Sequence, residues 1–462
     1  MKEQVKQIHF VGIGGVGMAG IAEVCLNLGF DVSGSDVKVN ANIHRLQAQG
    51  ASVQFDHHPS LMQTADVLVV SSAIKSDNPE VQWAKSKRIP VIPRAEMLAE
   101  LMRMRFGIAI AGTHGKTTTT SLTAAILTQG GLDPTFVIGG KLNQVGTHAR
   151  LGSSKYLVAE ADESDASFLH LTPMMSVITN IDMDHMETYQ GDFSRLINTY
   201  IEFTNRLPFY GLAVVCLDDP HIKDLLHDLP RKTRTYGFDE QADVRAVDVE
   251  ALGLRSRFRV LTKDLPAFEV VLNIPGRHNV QNALAAIAVA LEVGVNQQAI
   301  QQALIEFAGV GRRFEVYANR LIGEKSVTLV DDYGHHPTEL QATLATARSA
   351  FKDKRVVLVF QPHRYSRTRD LFEDFVHALM EADLVILSQV YPAGETPLPN
   401  FDSKALVQAM RLRGAQNLVL VDDFDELDHL AADLLQDEDV VLMMGAGDIG
   451  AWAKIWQERG AE

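Results

Sequence analysis

A lysine followed by a threonine run and flanked by two glycines, Ala111-Gly112-Thr113-His114-Gly115-Lys116-Thr117-Thr118, has the most specific chemistry in this sequence. Glycines at 112 and 115 let backbone N–H groups close around phosphate oxygens. Lys116 neutralises β- and γ-phosphate charge, and the Thr117 hydroxyl can ligate magnesium. The common form carries a glycine five residues before Gly115, where Ile110 stands, so this loop is a shortened variant. ATP is the expected ligand, with Gly112, Thr113, His114, Gly115, Lys116, Thr117 and Thr118 around its phosphates. A lysine merely exposed at a helix start would not need flanking glycines and a threonine run.

A second glycine loop, Gly12-Ile13-Gly14-Gly15-Val16-Gly17, follows the first strand, opens a helix and precedes Asp36 at the end of the next strand, which matches the dinucleotide fingerprint. Any nucleotide diphosphate satisfies that chemistry, because glycines let backbone donors approach it at a helix N-terminus. NAD, another nucleotide and a ligand-free turn all stay open on this pattern alone. A further copy at Gly445-Ala446-Gly447-Asp448-Ile449-Gly450 shows how little it specifies. Two nucleotide-type loops on separate domains suit the joining of a nucleotide-bearing substrate to ATP hydrolysis better than hydride transfer.

Downstream lie Glu160-Ala161-Asp162-Glu163-Ser164-Asp165 and Thr179-Asn180-Ile181-Asp182-Met183-Asp184-His185-Met186. Such an acid cluster would repel ATP unless hard cations sat between carboxylate and phosphate oxygens. A solvated acidic turn is its bland alternative.

The elements that must position these groups read as α/β: short apolar runs alternate with amphipathic helices, the signature of mainly parallel sheets. Strands are expected at 8–10, 67–70, 108–111, 156–159, 176–179 and 212–216. Further strands fall at 327–330, 356–360, 384–387, 418–421 and 440–443, with helices such as 281–293 and 337–350. Breaks at Pro90 to Arg94 and at Gly309-Val310-Gly311-Arg312-Arg313 divide the chain into 1–105, 106–313 and 314–462. The first and last units read as Rossmann-like. The central unit reads as a P-loop ATPase-like, mainly parallel sheet, and alternation between about 232 and 274 adds a small antiparallel sheet to it.

A length of 462 residues with 46% hydrophobic and 22% charged residues suits several ordinary cores. The net charge of -15 excludes a broad nucleic-acid surface. Cys25 and Cys216 read as buried thiols in a reducing compartment. Neither a signal-peptide core nor a membrane-length apolar run is present, so a cytoplasmic protein without membrane insertion is expected.

In order along the chain, Gly-Thr-His-Gly-Lys-Thr-Thr-Thr at 112–119, Asp162-Glu163-Ser164-Asp165 and Asp184-His185-Met186 resemble Mur ligase signatures. So do His278-Asn279-Val280-Gln281-Asn282-Ala283, Gly311-Arg312-Arg313-Phe314-Glu315, Asp331-Asp332-Tyr333-Gly334-His335-His336-Pro337 and His363-Arg364-Tyr365-Ser366-Arg367. The resemblance covers nearly the whole chain. It implies an ADP-forming ligase in peptidoglycan precursor synthesis, with ATP and two Mg²⁺ ions, for which Mn²⁺ could substitute. Thr117, Glu160 and His185 would hold the metals; Lys116, His185 and Arg313 would be catalytic. Asn279 and Asn282 would face adenine, and Arg313 and Asp332 would be brought to the nucleotide as the last domain closes over the site.

The stretch after Tyr189 has no lysine of the kind that later-acting members carbamoylate, so the resemblance is to members acting on UDP-N-acetylmuramate. Its diphosphate would lie on Gly14, Gly15, Val16 and Gly17, with Asp36, His58, Ser71, Ser72 and Ala73 nearby. His335, Arg364 and Arg367 would reach the muramoyl part, and Tyr333 and His335 would border L-alanine. Partners are expected to be these small molecules alone, acting on a monomer or weak homodimer. A recycling ligase taking a tripeptide, an NAD-linked oxidoreductase and a non-enzymatic NTPase switch are the alternatives.

Overall fold

A computed structural model describes residues 4–71, 73–143, 147–263 and 265–459. Apolar strands and intervening helices build three sheets. The first contains β1 (Gln7–Val11), β2 (Asp31–Ser35), β3 (Ser52–Gln54), β4 (Val67–Val70) and β5 (Val91–Pro93). It is parallel throughout, in the order β3-β2-β1-β4-β5.

The central sheet begins with β6 (Phe106–Ala111), β7 (Thr135–Leu142), β8 (Thr147–Arg150), β9 (Tyr156–Glu160) and β10 (Met175–Ile178). It continues with β11 (Leu212–Cys216), β12 (Lys232–Gly237), β13 (Val244–Leu252), β14 (Arg255–Thr262) and β15 (Phe268–Leu272). Their order is β15-β14-β13-β12-β11-β10-β6-β9-β7-β8. Strands β10, β6 and β9 lie side by side in parallel, with Ile178 beside Ala111 and Ile110 beside Glu160. They are almost wholly buried, as parallel strands covered on both faces must be. The alternating segment after residue 232 extends this same ladder instead of forming a sheet of its own. Its first strand, β12, pairs parallel with both neighbours, and Thr235 and Asp243 exchange hydrogen bonds across the β12–β13 junction.

The third sheet holds β16 (Glu315–Ile322), β17 (Lys325–Asp332), β18 (Val356–Phe360), β19 (Leu384–Ser388), β20 (Leu418–Val421) and β21 (Val440–Met444). Its order is β16-β17-β21-β18-β19-β20, and β16 alone pairs antiparallel. One face packs Leu340, Phe360, Phe375 and Leu442, the other Val357, Leu427 and Trp456. The chain forms two compact units: Met1–Val247 with Arg259–Val270 and Gln281–Ala308, and Asp248–Phe258 with Val271–Val280 and Gly309–Glu462. Both cysteines are buried and free. Among the described residues no helix is long and apolar enough to cross a membrane.

The helix Lys116–Gln129 forms despite its β-branched residues. Thr120, Ser121, Thr123 and the exposed Thr128 each donate to the carbonyl four residues earlier, at 2.7–2.8 Å, which satisfies the hydroxyls of the three that are buried. Gly115 caps it at φ 81°, a left-handed conformation open to glycine, and no acidic side chain sits in its first turn. Its first N–H groups are thus left for a ligand.

Candidate active site

Loops from the C-terminal ends of β6, β10 and β9 carry the phosphate loop, the Thr179–Asp184 turn and the acid cluster, so adjacent strands bring them to one crevice. The first two are laced together. The His114 N–H donates to Asn180 Oδ1 at 2.8 Å and the Asp182 N–H to Thr113 Oγ1 at 2.9 Å. His114 Nε2 lies 2.9 Å from Asp182 Oδ2, and Thr179 Oγ1 donates to the His114 carbonyl at 2.6 Å. The His185 turn is tied to the acid cluster through Thr188 Oγ1, which donates to the Ser164 carbonyl, and Tyr189 Oη, which donates to that of Glu163.

Lys116 is folded back into its own loop. Its ammonium donates to the carbonyls of Gly112 at 2.6 Å and Thr113 at 3.1 Å, and lies 2.8 Å from both Glu163 oxygens. Burial works against this charge, but Glu163, Asp162 and Glu160 together hold the lysine pKa above its ordinary value. Burial also pushes the Glu163 carboxyl up to about 7, against the pull of Lys116. The ammonium is therefore aimed into the cradle and kept charged.

This pair gives a stability prediction. A carboxyl raised in the folded state keeps a proton that the unfolded chain has released. Its contribution is complete below the ordinary carboxylate range and is lost as pH rises through 7. Glu163→Gln removes that titration. Between urea melts at about pH 5 and about pH 7.5, the variant should gain roughly 1–3 kcal/mol relative to wild type. A pH-independent difference would show the carboxyl to be unperturbed.

The Thr117 hydroxyl and the Glu160 carboxylate are oxygen donors suited to a hard divalent cation, and three carboxylates share the field of Lys116. Glu160 Oε1 also accepts from the Gly139 N–H at 2.6 Å, which orients it. His185 has a left-handed backbone at φ 53° and places Nε2 3.5 Å from Asp184 Oδ2. Its nitrogen is a softer donor than magnesium prefers. Asn282 packs on the loop: a Cβ at Gly115 would come within 2.4 Å of its Oδ1, which also accepts from Thr119 Oγ1 at 3.2 Å.

At the first glycine loop, β1 ends beside β2 and β4, where the strand order changes direction. The Gly14 N–H donates to Asp36 Oδ2 at 2.8 Å, while Asn40 and Asn42 donate to the Gly14 carbonyl at 3.1 and 3.0 Å. Gly15 is the N-cap of the helix Val16–Asn27 without any side-chain cap. Ser71 packs beside Gly12, Ala73 is exposed, and Ser72 lies outside the described residues. His58 is exposed; its neighbour His57 is the one tied inward, to Ser35 Oγ at 2.9 Å and Glu80 Oε2 at 3.2 Å.

In the other compact unit, Asp332 accepts from the N–H groups of Phe314 and Gly334, each at 2.7 Å, and burial raises its pKa. Arg313 lies 5.2 Å from the Tyr333 ring centroid, and the His335 ring meets Tyr333 edge-on at 5.5 Å. His335 neighbours His363 at 5.6 Å, and His363 stacks on Tyr391. Arg367 Nη1 donates to the His363 carbonyl at 3.0 Å; Arg364 has φ 71° and a buried Nε without a hydrogen-bond partner among the described residues. Asn279 donates to the Pro275 carbonyl at 2.7 Å. The glycine copy at 445–450 is filled by protein. Gln361 Oε1 accepts from the Ile449 N–H at 3.1 Å, and Cβ atoms at Gly447 and Gly450 would strike Gln361, Tyr391 and Arg312.

Sequence reading assigned no role to Asn40, Asn42, His363, Tyr391 or Arg94. Arg94 lies over Gly17 and 3.6 Å from Asp162, and only its position near a domain break drew notice.

Three family models match in succession: "Mur ligase family, catalytic domain" over residues 7–106, "Mur ligase middle domain" over 110–290 and "Mur ligase, glutamate ligase domain" over 312–447. The chain is 68% identical to a UDP-N-acetylmuramate--L-alanine ligase of Hydrogenovibrio crunogenus, over 99% of this chain and 100% of that one. Its structure resembles the UDP-N-acetylmuramate-alanine ligase of Thermotoga maritima with TM-score 0.82, 28% identity and 98% coverage of each chain. It also resembles the UDP-N-acetylmuramate:L-alanyl-gamma-D-glutamyl-meso-diaminopimelate ligase of Neisseria meningitides, with TM-score 0.61 and 31% identity, over 67% of this chain and 100% of that one.

Proposed function

We propose, because the chain belongs to the Mur ligase family, that its phosphate loop drives the joining of L-alanine to the lactyl carboxylate of UDP-N-acetylmuramate. ATP is cleaved to ADP and phosphate in the process. The observation that carries this reading is the Lys116 ammonium, held between two loop carbonyls and Glu163 at a helix N-terminus that has no side-chain cap. We take the reaction to be cytoplasmic and the three domains to end near residues 105 and 313.

Direct amide formation fails because hydroxide is a poor leaving group. In the proposed sequence the lactyl carboxylate attacks the γ-phosphorus of ATP, and the bond from that phosphorus to the bridging oxygen breaks. ADP leaves and an acyl phosphate remains. Lys116 stabilises the negative charge that spreads over the transferring group, and backbone N–H groups of residues 115–118 bind its oxygens. The alanine amine then adds to the acyl carbon, loses a proton, and phosphate departs as the amide closes. Magnesium, held by Thr117, Glu160 and His185, would supply electrostatic neutralisation of the phosphates. Asn282 is assigned to adenine, Tyr333 and His335 to the amine, and Arg364 and Arg367 to the sugar nucleotide. Sustained turnover to ADP should require both UDP-N-acetylmuramate and L-alanine; steady-state release that ignores either substrate would overturn the reading.

The first loop is assigned to the UDP diphosphate, which makes a separate prediction. A Cβ at Gly14 would lie 2.8–2.9 Å from Asn40, Asp36 and Ile43, so Gly14→Val must push apart the groups that shape the loop. UDP-N-acetylmuramate affinity should fall by about a hundredfold or more in titration calorimetry, and NAD should not bind wild type. Saturable NAD binding at micromolar concentration would reverse the assignment.

A further inference from the structure

Arg94 begins the helix Arg94–Arg103, and its guanidinium lies over the last glycine of the first loop. A Cβ at Gly17 would meet its Nη1 at 2.9 Å and Cζ at 3.4 Å. Gly17 is in the first turn of the helix Val16–Asn27, which has neither an acidic residue there nor a side-chain cap. A cation at that positive end is disfavoured by the helix dipole unless an anion joins it. Asp162 answers this only loosely: its Oδ2 is 3.6 Å from Nη2, longer than a charge-assisted hydrogen bond, and the two side chains are 41% and 28% exposed. Its other oxygen is committed, since Oδ1 accepts from the Ser164 N–H at 3.0 Å. Arg94 is therefore a partly exposed, loosely paired cation beside backbone donors that no side chain caps.

Resting on the assignment of the first loop to a nucleotide diphosphate, we propose that Arg94 binds that diphosphate, and that Asp162 holds it only while the loop is empty. The guanidinium would exchange one loose carboxylate contact for paired hydrogen bonds to phosphate oxygens, the geometry for which its planar fork is suited. The same motion separates Arg94 from a carboxylate in the acid cluster beside Lys116.

The test titrates UDP into the full-length protein by calorimetry. Arg94→Gln should weaken UDP about tenfold or more, and Arg94→Lys, which keeps the charge without the fork, should lose less. Asp162→Asn separates exchange from a merely structural clamp. Under exchange it frees Arg94 and UDP binds as tightly as to wild type or up to several-fold tighter. A clamp requires both halves of the pair, so Asp162→Asn and Arg94→Gln would weaken UDP alike. That result overturns the proposal, as does an Arg94→Gln affinity within about twofold of wild type. Gly14→Val separates the two layers. If wild type binds UDP and Gly14→Val does not, an unaffected Arg94→Gln removes this inference alone. If Gly14→Val binds UDP like wild type, the loop assignment falls and this inference with it.

Discussion

Lys116→Ala is expected to lower kcat by about a thousandfold or more, because the ammonium is the preorganised charge facing the transferring phosphoryl group. Two loop carbonyls and the Glu163 carboxylate fix it, so little reorganisation is needed when ATP arrives. Fixed charges in a partly dry loop act more strongly on a developing charge than mobile ones in water. An exposed loop lysine would contribute little to stability, but this one is paired with a buried acid, so some destabilisation is expected. It stays limited, since Glu163 already titrates near 7 and can take a proton once its partner is gone. We expect a loss of about 1–3 kcal/mol in urea unfolding and a protein that still folds. Steady-state ADP release checks the first part; turnover within about tenfold of wild type would remove Lys116 from the phosphoryl-transfer step.

The phosphate loop was legible because its chemistry is local. Gly112, Gly115, Lys116 and Thr117 carry their roles within a single turn, and helix 116–129 follows from them. The apolar strands were legible for the same reason, and the reading placed β4, β11, β18 and β20 with their observed limits. Strands β3, β5, β7, β8 and β16 escaped it, and β2 was legible only through the glycine fingerprint, as the strand that ends at Asp36. Asp-Val-Ser-Gly-Ser is not an apolar run, and β2 is a strand because the ladder of β1 recruits it. Glu163 reads on the sequence as one acid among several, and only folding makes it the partner of a lysine far upstream. Spacing alone also failed to separate the two glycine loops. At Gly14 the donors and acceptors come from Asp36, Asn40 and Asn42, leaving the helix end uncapped. At Gly447 the distant residues Gln361 and Tyr391 fill the corresponding space. Which long-range groups close on a turn decides whether it can hold a ligand, and periodicity does not report them.

The choice of amine gives the other large effect. L-Alanine should be used with a kcat/KM at least about a hundredfold above that for the tripeptide L-Ala-γ-D-Glu-meso-diaminopimelate. Ligases for either amine need the same phosphate loop, metals and sugar nucleotide, so only the groups around the amine can discriminate. Tyr333 and His335 follow β17, and His363 follows β18, where their rings meet in sequence at 5.5 and 5.6 Å, with Tyr391 stacked beyond. Arg312 and Arg313 lie over Tyr333 at 5.1 and 5.2 Å, which adds cation–π contacts to that ring. A wall consolidated by aromatic and cation–π contacts does not yield readily to a longer substrate. Competition between the two amines, read by product mass, measures the ratio directly. If the tripeptide is used equally well or better, the site assigned to Tyr333 and His335 is larger than its ring contacts indicate. The amine assignment would then move to the peptide, with the phosphoryl-transfer chemistry of Lys116 unchanged.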